Sequence, residues 1–290
     1  MFSAYLIHLL VLIGIYLILA LALQIALGFS GLLNMGHVAF YCVGAYTSAL
    51  LLLAGWPWWL CFILAGIMAM VFGFLLSLPT NKLKGDYLAL ATLGFSFVVY
   101  AVALNWIGLT RGPLGLPGIP KPEILGINFS SNFSFLILTL LICLLVYLLL
   151  KKIINSPFGK AMQATRDDEL ATRILGKNIF KIKTISLMIS AFFAGLAGSL
   201  YASYITFIDP SSFTLMQLIP IFCIVIIGGL ASLKGTIIAT IILVLLPEPL
   251  RFIGFPSSII GPMRQIIYAL LLLLILIYRP KGFYGQVELE

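Results

Sequence analysis

Residues 6–46 read LIHLLVLIGIYLILALALQIALGFSGLLNMGHVAFYCVGAY. The first half is a near-continuous apolar run. About 20 such residues, wound as a helix, cross a hydrocarbon layer roughly 30 Å thick. No Asp, Glu, Lys or Arg occurs before Lys82. The second half differs: Gly28, Gly31, Gly36 and Gly44, with Asn34 and His37, interrupt the apolar sequence. A plain lipid-facing anchor needs none of these. The first half sets the class of fold, and the second half asks what the fold is for.

Working outward, the same pattern recurs. The chain is 62% hydrophobic and 9% charged, against roughly 25% charged in a soluble domain. Apolar segments fall at about 3–27, 34–54, 57–79, 86–107, 132–152, 184–207, 217–230, 236–254 and 263–279. They are continuous rather than alternating, which disfavours a β-barrel. The expected fold is an all-α polytopic membrane protein with about 8–10 spanning or partly spanning helices, forming one transmembrane domain over 1–290. The segment 217–230 is short for a span and reads as a half-helix. The first segment lacks a basic leader region and runs too long for a cleavable signal. Cys42, Cys61, Cys143 and Cys223 lie in apolar segments without metal-ligand spacing and read as packing residues.

The net charge of +8 suggests basic cytoplasmic loops rather than nucleic acid. Eight basic residues lie in 151–183: Lys151, Lys152, Lys160, Arg166, Arg173, Lys177, Lys181 and Lys183. That loop is expected in the cytoplasm. Counting spans outward puts Lys82, Lys84, Lys234, Arg279, Lys281 and the C-terminus on the same side. Arg111, Lys121, Arg251, Arg264 and the N-terminus fall outside. The loop at about 108–131 is dense in Gly and Pro and reads as an ordered external loop.

Two stretches echo each other. GFSGLLNMGHVAFYCVGAYTSALLL (28–52) and GGLASLKGTIIATIILVLLPEP (228–249) each place a glycine-rich break before an apolar helix. Paired breaks of this kind suggest an internal repeat in two halves. Ala191, Gly195 and Ser199, and Ala65, Ala69 and Gly73, form small-residue stripes at helical spacing, suited to close helix packing. Trp56, Trp58 and Trp59 read as an interfacial belt.

The stretch NSPFGKAMQATRDDELATRILGKN (155–178) is the most informative polar piece. Ser156 and Pro157 open a helix, Gly176 closes it, and one amphipathic helix is expected over 158–175. It is either a solvated connector or a docking surface. No GxxxxGK[ST] phosphate loop is present, and the charge-poor spans lead us to expect no deeply buried acid or base. A self-sufficient secondary carrier usually keeps such a group, so a separate energy source is favoured. A structural subunit of a larger membrane complex is a further reading.

Five motifs carry a resemblance: 27–46, LKGDYLALATLGF (83–95), LTRGPLGLPGIP (109–120), 158–178 and SAFFAGLAGSLYA (190–202). In these the chain resembles the LivM family, the permease subunits of bacterial branched-chain amino acid ATP-binding cassette importers. Arg111 departs from the family, which often has a glycine there. The resemblance implies a transport subunit without catalytic or metal site, in the inner membrane, with no cofactor of its own. ATP and Mg²⁺ would be handled by two cytoplasmic ATPase subunits. A second homologous permease chain and an external substrate-binding protein complete the assembly. It implies ATPase-coupling roles for Arg166, Asp168, Glu169, Ala171 and Gly176. Urea or short amides are alternative substrates within the family.

Within this reading, Gly31, Asn34, Gly36 and His37 are substrate-path candidates. Asn34 would cap the next helix, whose N-terminus could meet a substrate carboxylate. The same residues also suit a tight interhelical turn, with His37 bonded to a neighbour.

Overall fold

A computed structural model describes residues 2–83, 85–124, 127–251, 257–279 and 282–285. Lys84, Lys281 and the C-terminal residues 286–290 lie outside the described residues. The chain is an all-α polytopic membrane protein. Five helices are long and apolar enough to span a bilayer: Ala4–Phe29, Trp58–Thr80, Gly85–Asn105, Asn132–Asn155 and Ile179–Ile205. Four shorter apolar segments join them: His37–Leu53, Leu215–Gly228, Leu233–Leu245 and Gly261–Ile275.

In chain order, α1 is Phe2–Gln24 and runs on as a π-helical turn, Ile25–Phe29. Then come α2 (His37–Leu53), α3 (Trp58–Thr80), α4 (Gly85–Asn105) and the single turn α5 (Ile107–Thr110). The long α6 (Asn132–Asn155) leads to α7 (Pro157–Asp167) and α8 (Glu169–Ile174). They are followed by α9 (Ile179–Ile205), the half-length pair α10 (Leu218–Gly228) and α11 (Leu233–Leu245), and α12 (Ser257–Tyr278).

The core is built on α9, which packs against α1, α2 and α3. Its sequence makes this possible, because Ala191, Ala194, Gly195, Ala197, Gly198 and Ser199 leave little between backbones. A Cβ on Gly195 would stand 2.5 Å from the Ala69 Cβ and 2.6 Å from the Ala65 carbonyl oxygen. Gly44 of α2 meets the Gly195 backbone, and Gly198 meets the Tyr41 carbonyl. Polar links finish the seam: the Ser48 and Ser199 hydroxyls are 2.7 Å apart, and the Trp58 indole donates to Ser203 Oγ at 2.9 Å. Trp58 is thus a buried core residue, whereas Trp56 and Trp59 are about half exposed. The four cysteines are buried and unpaired.

Residues within 108–124 and 127–131, in the sequence read as an external loop, take part in two short antiparallel pairings. Leu116–Pro117 pairs antiparallel with Phe207–Ile208, fastening the loop to the end of α9. Glu123–Ile124 pairs with Ile127–Asn128. Arg111 sits at φ +60°, a left-handed conformation that glycine adopts without strain. The arginine holds this turn with its backbone in that conformation.

The small-residue stripe gives a prediction. Gly44→Ala forces a Cβ into backbone and should cost about 1–3 kcal/mol of overpacking. Gly94 on the exposed face of α4 has open space, so Gly94→Ala should be neutral or stabilising. The midpoint of thermal aggregation in detergent, read by fluorescence-detected gel filtration, should fall for the first and hold for the second. Gly73→Ala belongs with Gly44, because its Cβ would come within 2.7 Å of the Ala191 Cβ.

Candidate translocation path and coupling surface

At one end of the bundle the chain breaks after α1. The π-helical turn is fully buried, and Gly31 follows at φ +67°. Helix α2 begins at His37 behind Gly36, and no side chain caps it. The expected Asn34 cap is therefore corrected: Asn34 Oδ1 accepts from the Gly36 amide at 3.0 Å, closing a local turn instead. Thr92 of α4 completes this turn, its hydroxyl accepting from the Met35 amide at 3.0 Å. A Cβ on Gly36 would stand 2.6 Å from the Thr92 carbonyl oxygen. His37 is buried and its Nε2 donates to the Leu19 carbonyl at 3.0 Å. Asn34 Nδ2 and His37 Nδ1 are buried without a hydrogen-bond partner. The cavity touching Asn34 holds about 10 Å³, room for one water at most and none for a substrate. Asn34, Gly36 and His37 thus lie in a closed, packed seam, whereas Gly31 is exposed at its edge.

The second glycine-rich break lies against the first. Helix α10 ends at Gly228, Gly229 takes φ +96°, and Ser232 Oγ caps α11 by accepting from the Gly235 amide at 3.1 Å. Gln24 Nε2 donates to the Gly229 carbonyl at 2.7 Å and lies 3.3 Å from the Ser232 carbonyl. A Cβ on Gly28 would stand 2.7 Å from the Ala231 amide nitrogen. The two stretches that echo in sequence therefore meet as one closure, with Gln24 between them.

Beneath this closure lies the 151–183 region. Ser156 and Pro157 open α7 as expected, with Ser156 Oγ accepting from the Gly159 amide at 3.2 Å. The single helix expected over 158–175 is instead two. Asp168 adopts extended backbone and its Oδ1 accepts from the Leu170 and Ala171 amides at 2.7 and 3.1 Å. A short polar side chain that can satisfy orphan amides starts a new helix in a new direction. Gly176, at φ +75°, ends α8.

The coupling candidates separate by environment. Arg166 is mostly buried and its Nη1 donates to the Gly28 carbonyl at 2.8 Å, while Gly31 lies against its side-chain stem. Asp168 is a cap. Glu169 pairs with Lys183, which is buried at the start of α9. Ala171 is exposed on α8, where Leu170, Ile174 and Leu175 are 68%, 79% and 76% exposed. Two large aliphatic side chains on this six-residue helix and a third at its C-cap, Leu175, form an exposed apolar platform.

At the opposite end, α1, α9, α10, α11 and α12 enclose a cavity of about 360 Å³. Glu248 and Arg264 face each other on its wall, 3.1 Å apart. Glu248 and Lys183 are both buried, which corrects the expectation of no deeply buried acid or base. The signal for Glu248 was present: it is the acid inside the apolar segment 236–254.

Nine apolar segments, two meeting breaks, a protruding platform at one end and a cavity holding an ion pair at the other fit a multi-pass transport protein. The chain belongs to the family described as "Branched-chain amino acid transport system / permease component", whose profile matches residues 5–276. It is 38% identical to the high-affinity branched-chain amino acid transport system permease protein LivM of Escherichia coli K12, over 92% of this chain and 67% of that protein. It is 28% identical to the probable LivM of Methanocaldococcus jannaschii, over 94% and 91% of the two chains. Identity to the permease protein LivH of Salmonella typhimurium is 26%, over 95% and 92%. No solved structure matches the chain.

The Arg166 contact is testable. A hydrogen bond from a charged donor is worth about 1.5–3 kcal/mol. Arg166→Met should therefore raise amide hydrogen exchange in 27–36 by about tenfold or more, read by mass spectrometry, with α3 unchanged.

Proposed function

We propose that this chain is the membrane-spanning permease subunit of an ATP-binding cassette importer for branched-chain or other aliphatic amino acids. It works beside a second homologous permease chain in the plasma membrane, the inner membrane of a two-membrane cell. Two ATPase subunits bind ATP and Mg²⁺ on the cytoplasmic side, and an external binding protein delivers the substrate. The end bearing α7 and α8 is cytoplasmic, and the N-terminus and the cavity end face out.

One observation carries the mechanism: Arg166 links the platform to the closure. Motion of α7 and α8 under a docked ATPase reaches the Gly28 carbonyl through one charged hydrogen bond. From there it reaches the second break through Gln24. The packed seam at Asn34, Gly36 and His37 then reads as the shut inner end of the path, which separates when the ATPases move. The platform supplies the apolar anchors of an interface, and the surrounding basic residues supply its rim. Glu169, held by Lys183 within this chain, orients α8 against α9, so a Glu169→Lys change disturbs the permease itself and not only its docking.

Three measurements test this reading. In proteoliposomes holding the full assembly, labelled leucine uptake should require internal ATP. Uptake of urea instead of leucine would move the substrate class, and ATP-independent uptake would establish a secondary carrier. Ile174→Asp places a charge on the platform without touching the bundle, so uptake should fall at least about tenfold at normal membrane abundance, as for an interfacial hot spot. Unchanged uptake would remove the docking role. For orientation, cysteine at Leu114 should react with an impermeant maleimide in intact cells, while cysteine at Arg173 should react only after lysis.

A further inference from the structure

The cavity at the outer end holds more chemistry than a water-filled vestibule requires. Its volume of about 360 Å³ falls within the roughly 300–1,000 Å³ typical of small-molecule sites. Leu9, Leu12, Ile15 and Ile224 supply apolar wall. Tyr16, Tyr41, Tyr201 and Tyr268 supply aromatic faces. The charges are concentrated in Glu248, 8% exposed, and Arg264. Tyr5 donates to Glu248 Oε2, and the Tyr16 hydroxyl donates to Gln217 at 3.0 Å.

A buried ion pair is costly compared with apolar packing, because desolvation offsets much of the attraction. If Glu248 and Arg264 only stapled α12 to the chain after α11, hydrophobic residues would serve as well. Two features argue for another role. The pair stands on a cavity wall rather than inside a packed interface, and Arg264 Nε is buried without a hydrogen-bond partner. The arginine thus retains donor capacity beyond the pair.

The pair also restricts the ligand. Together the two side chains are neutral, so an isolated anion or cation would enter with no net counter-charge. A zwitterion brings one charge for each partner. The planar guanidinium suits a carboxylate. An ammonium suits the Glu248 carboxylate and the tyrosine faces. An aliphatic side chain suits the leucine and isoleucine wall. We propose that this cavity is a binding site for an aliphatic α-amino acid zwitterion, its carboxylate on Arg264 and its ammonium on Glu248. This rests on the permease reading and adds the place where substrate waits. Tyr16 stands eight residues before Gln24, about 12 Å along the helix axis, so the site lies directly above the closure.

The test uses the assembled transporter with cysteine at Met216, an exposed residue on the cavity wall; the chain's own cysteines are buried. Maleimide labelling is followed with L-leucine, with 4-methylpentanoate, which lacks the ammonium, or with 3-methylbutylamine, which lacks the carboxylate. Leucine should slow labelling, and each analogue should need at least about tenfold higher concentration, the loss expected for one charged partner. Arg264→Gln should shift leucine protection by a similar factor. Exchanging the pair, with Glu248→Arg and Arg264→Glu together, keeps its neutrality and should still lose protection, because the walls fix the ligand's direction. Equal protection by leucine and 4-methylpentanoate overturns the proposal without any change at the pair. So does full leucine protection in the exchanged variant. If the same preparation takes up leucine with ATP but shows no protection, this site alone falls. If it takes up no aliphatic amino acid, the permease reading falls with it.

Discussion

The close approach of α9 to α2 and α3 is the constraint on which the rest depends. A bilayer offers little hydrophobic drive for one helix to bury against another, so packing distance and polar links must hold the bundle. Gly195 against Ala65 and Ala69, Gly44 against Gly195, and Ser48 against Ser199 supply both. Because α9 is fixed there, its two ends become reference points. At one end Lys183 holds Glu169 and so α8; at the other, Phe207–Ile208 holds the loop carrying Leu116–Pro117. The platform and the loop carrying Leu116–Pro117 are thereby fastened to opposite ends of α9.

At the two breaks close glycine approaches recur, Gly28 against Ala231 and Gly228 against Gly235, and polar links are added. They use backbone carbonyls and amides, joined by Gln24 and Arg166 side chains. Helices α2, α3 and α9 thus form one closely packed block, and side-chain hydrogen bonds join the elements where α1, α7, α10 and α11 meet.

Much of this was legible in the sequence. Apolar segment lengths gave most of the helices, including the half-length of 217–230, but not the end of the 236–254 segment, where α11 stops at Leu245 and a separate turn carries Glu248. Gly176 as a helix end and the small-residue stripes were readable for similar local reasons. Asp168 was not: its amphipathic neighbours fit one continuous helix, and only tertiary packing of α7 against the first break shows where the direction changes. Asn34 failed as a cap because Thr92, 58 positions away, takes the adjacent amide instead. Trp58 failed as a belt residue because Ser203 lies across from it. The Glu248–Arg264 pair was hidden differently, since the two residues belong to segments read separately and meet only when α11 and α12 stand together.

The half-length of α10 and α11 has a consequence for how the chain is made. At 11 and 13 residues, neither meets the length of about 20 at which a helix partitions into lipid as an independent span. Their turn also ends in backbone carbonyls that lipid cannot satisfy. Gln24 satisfies the one at Gly229, and the segment after α12 takes those of Ile227 and Gly228. During synthesis this hairpin therefore cannot settle into the membrane by its own hydrophobicity. It waits for α1, already inserted, and for α12, not yet translated, so the last quarter of the chain enters as one cooperative unit rather than helix by helix.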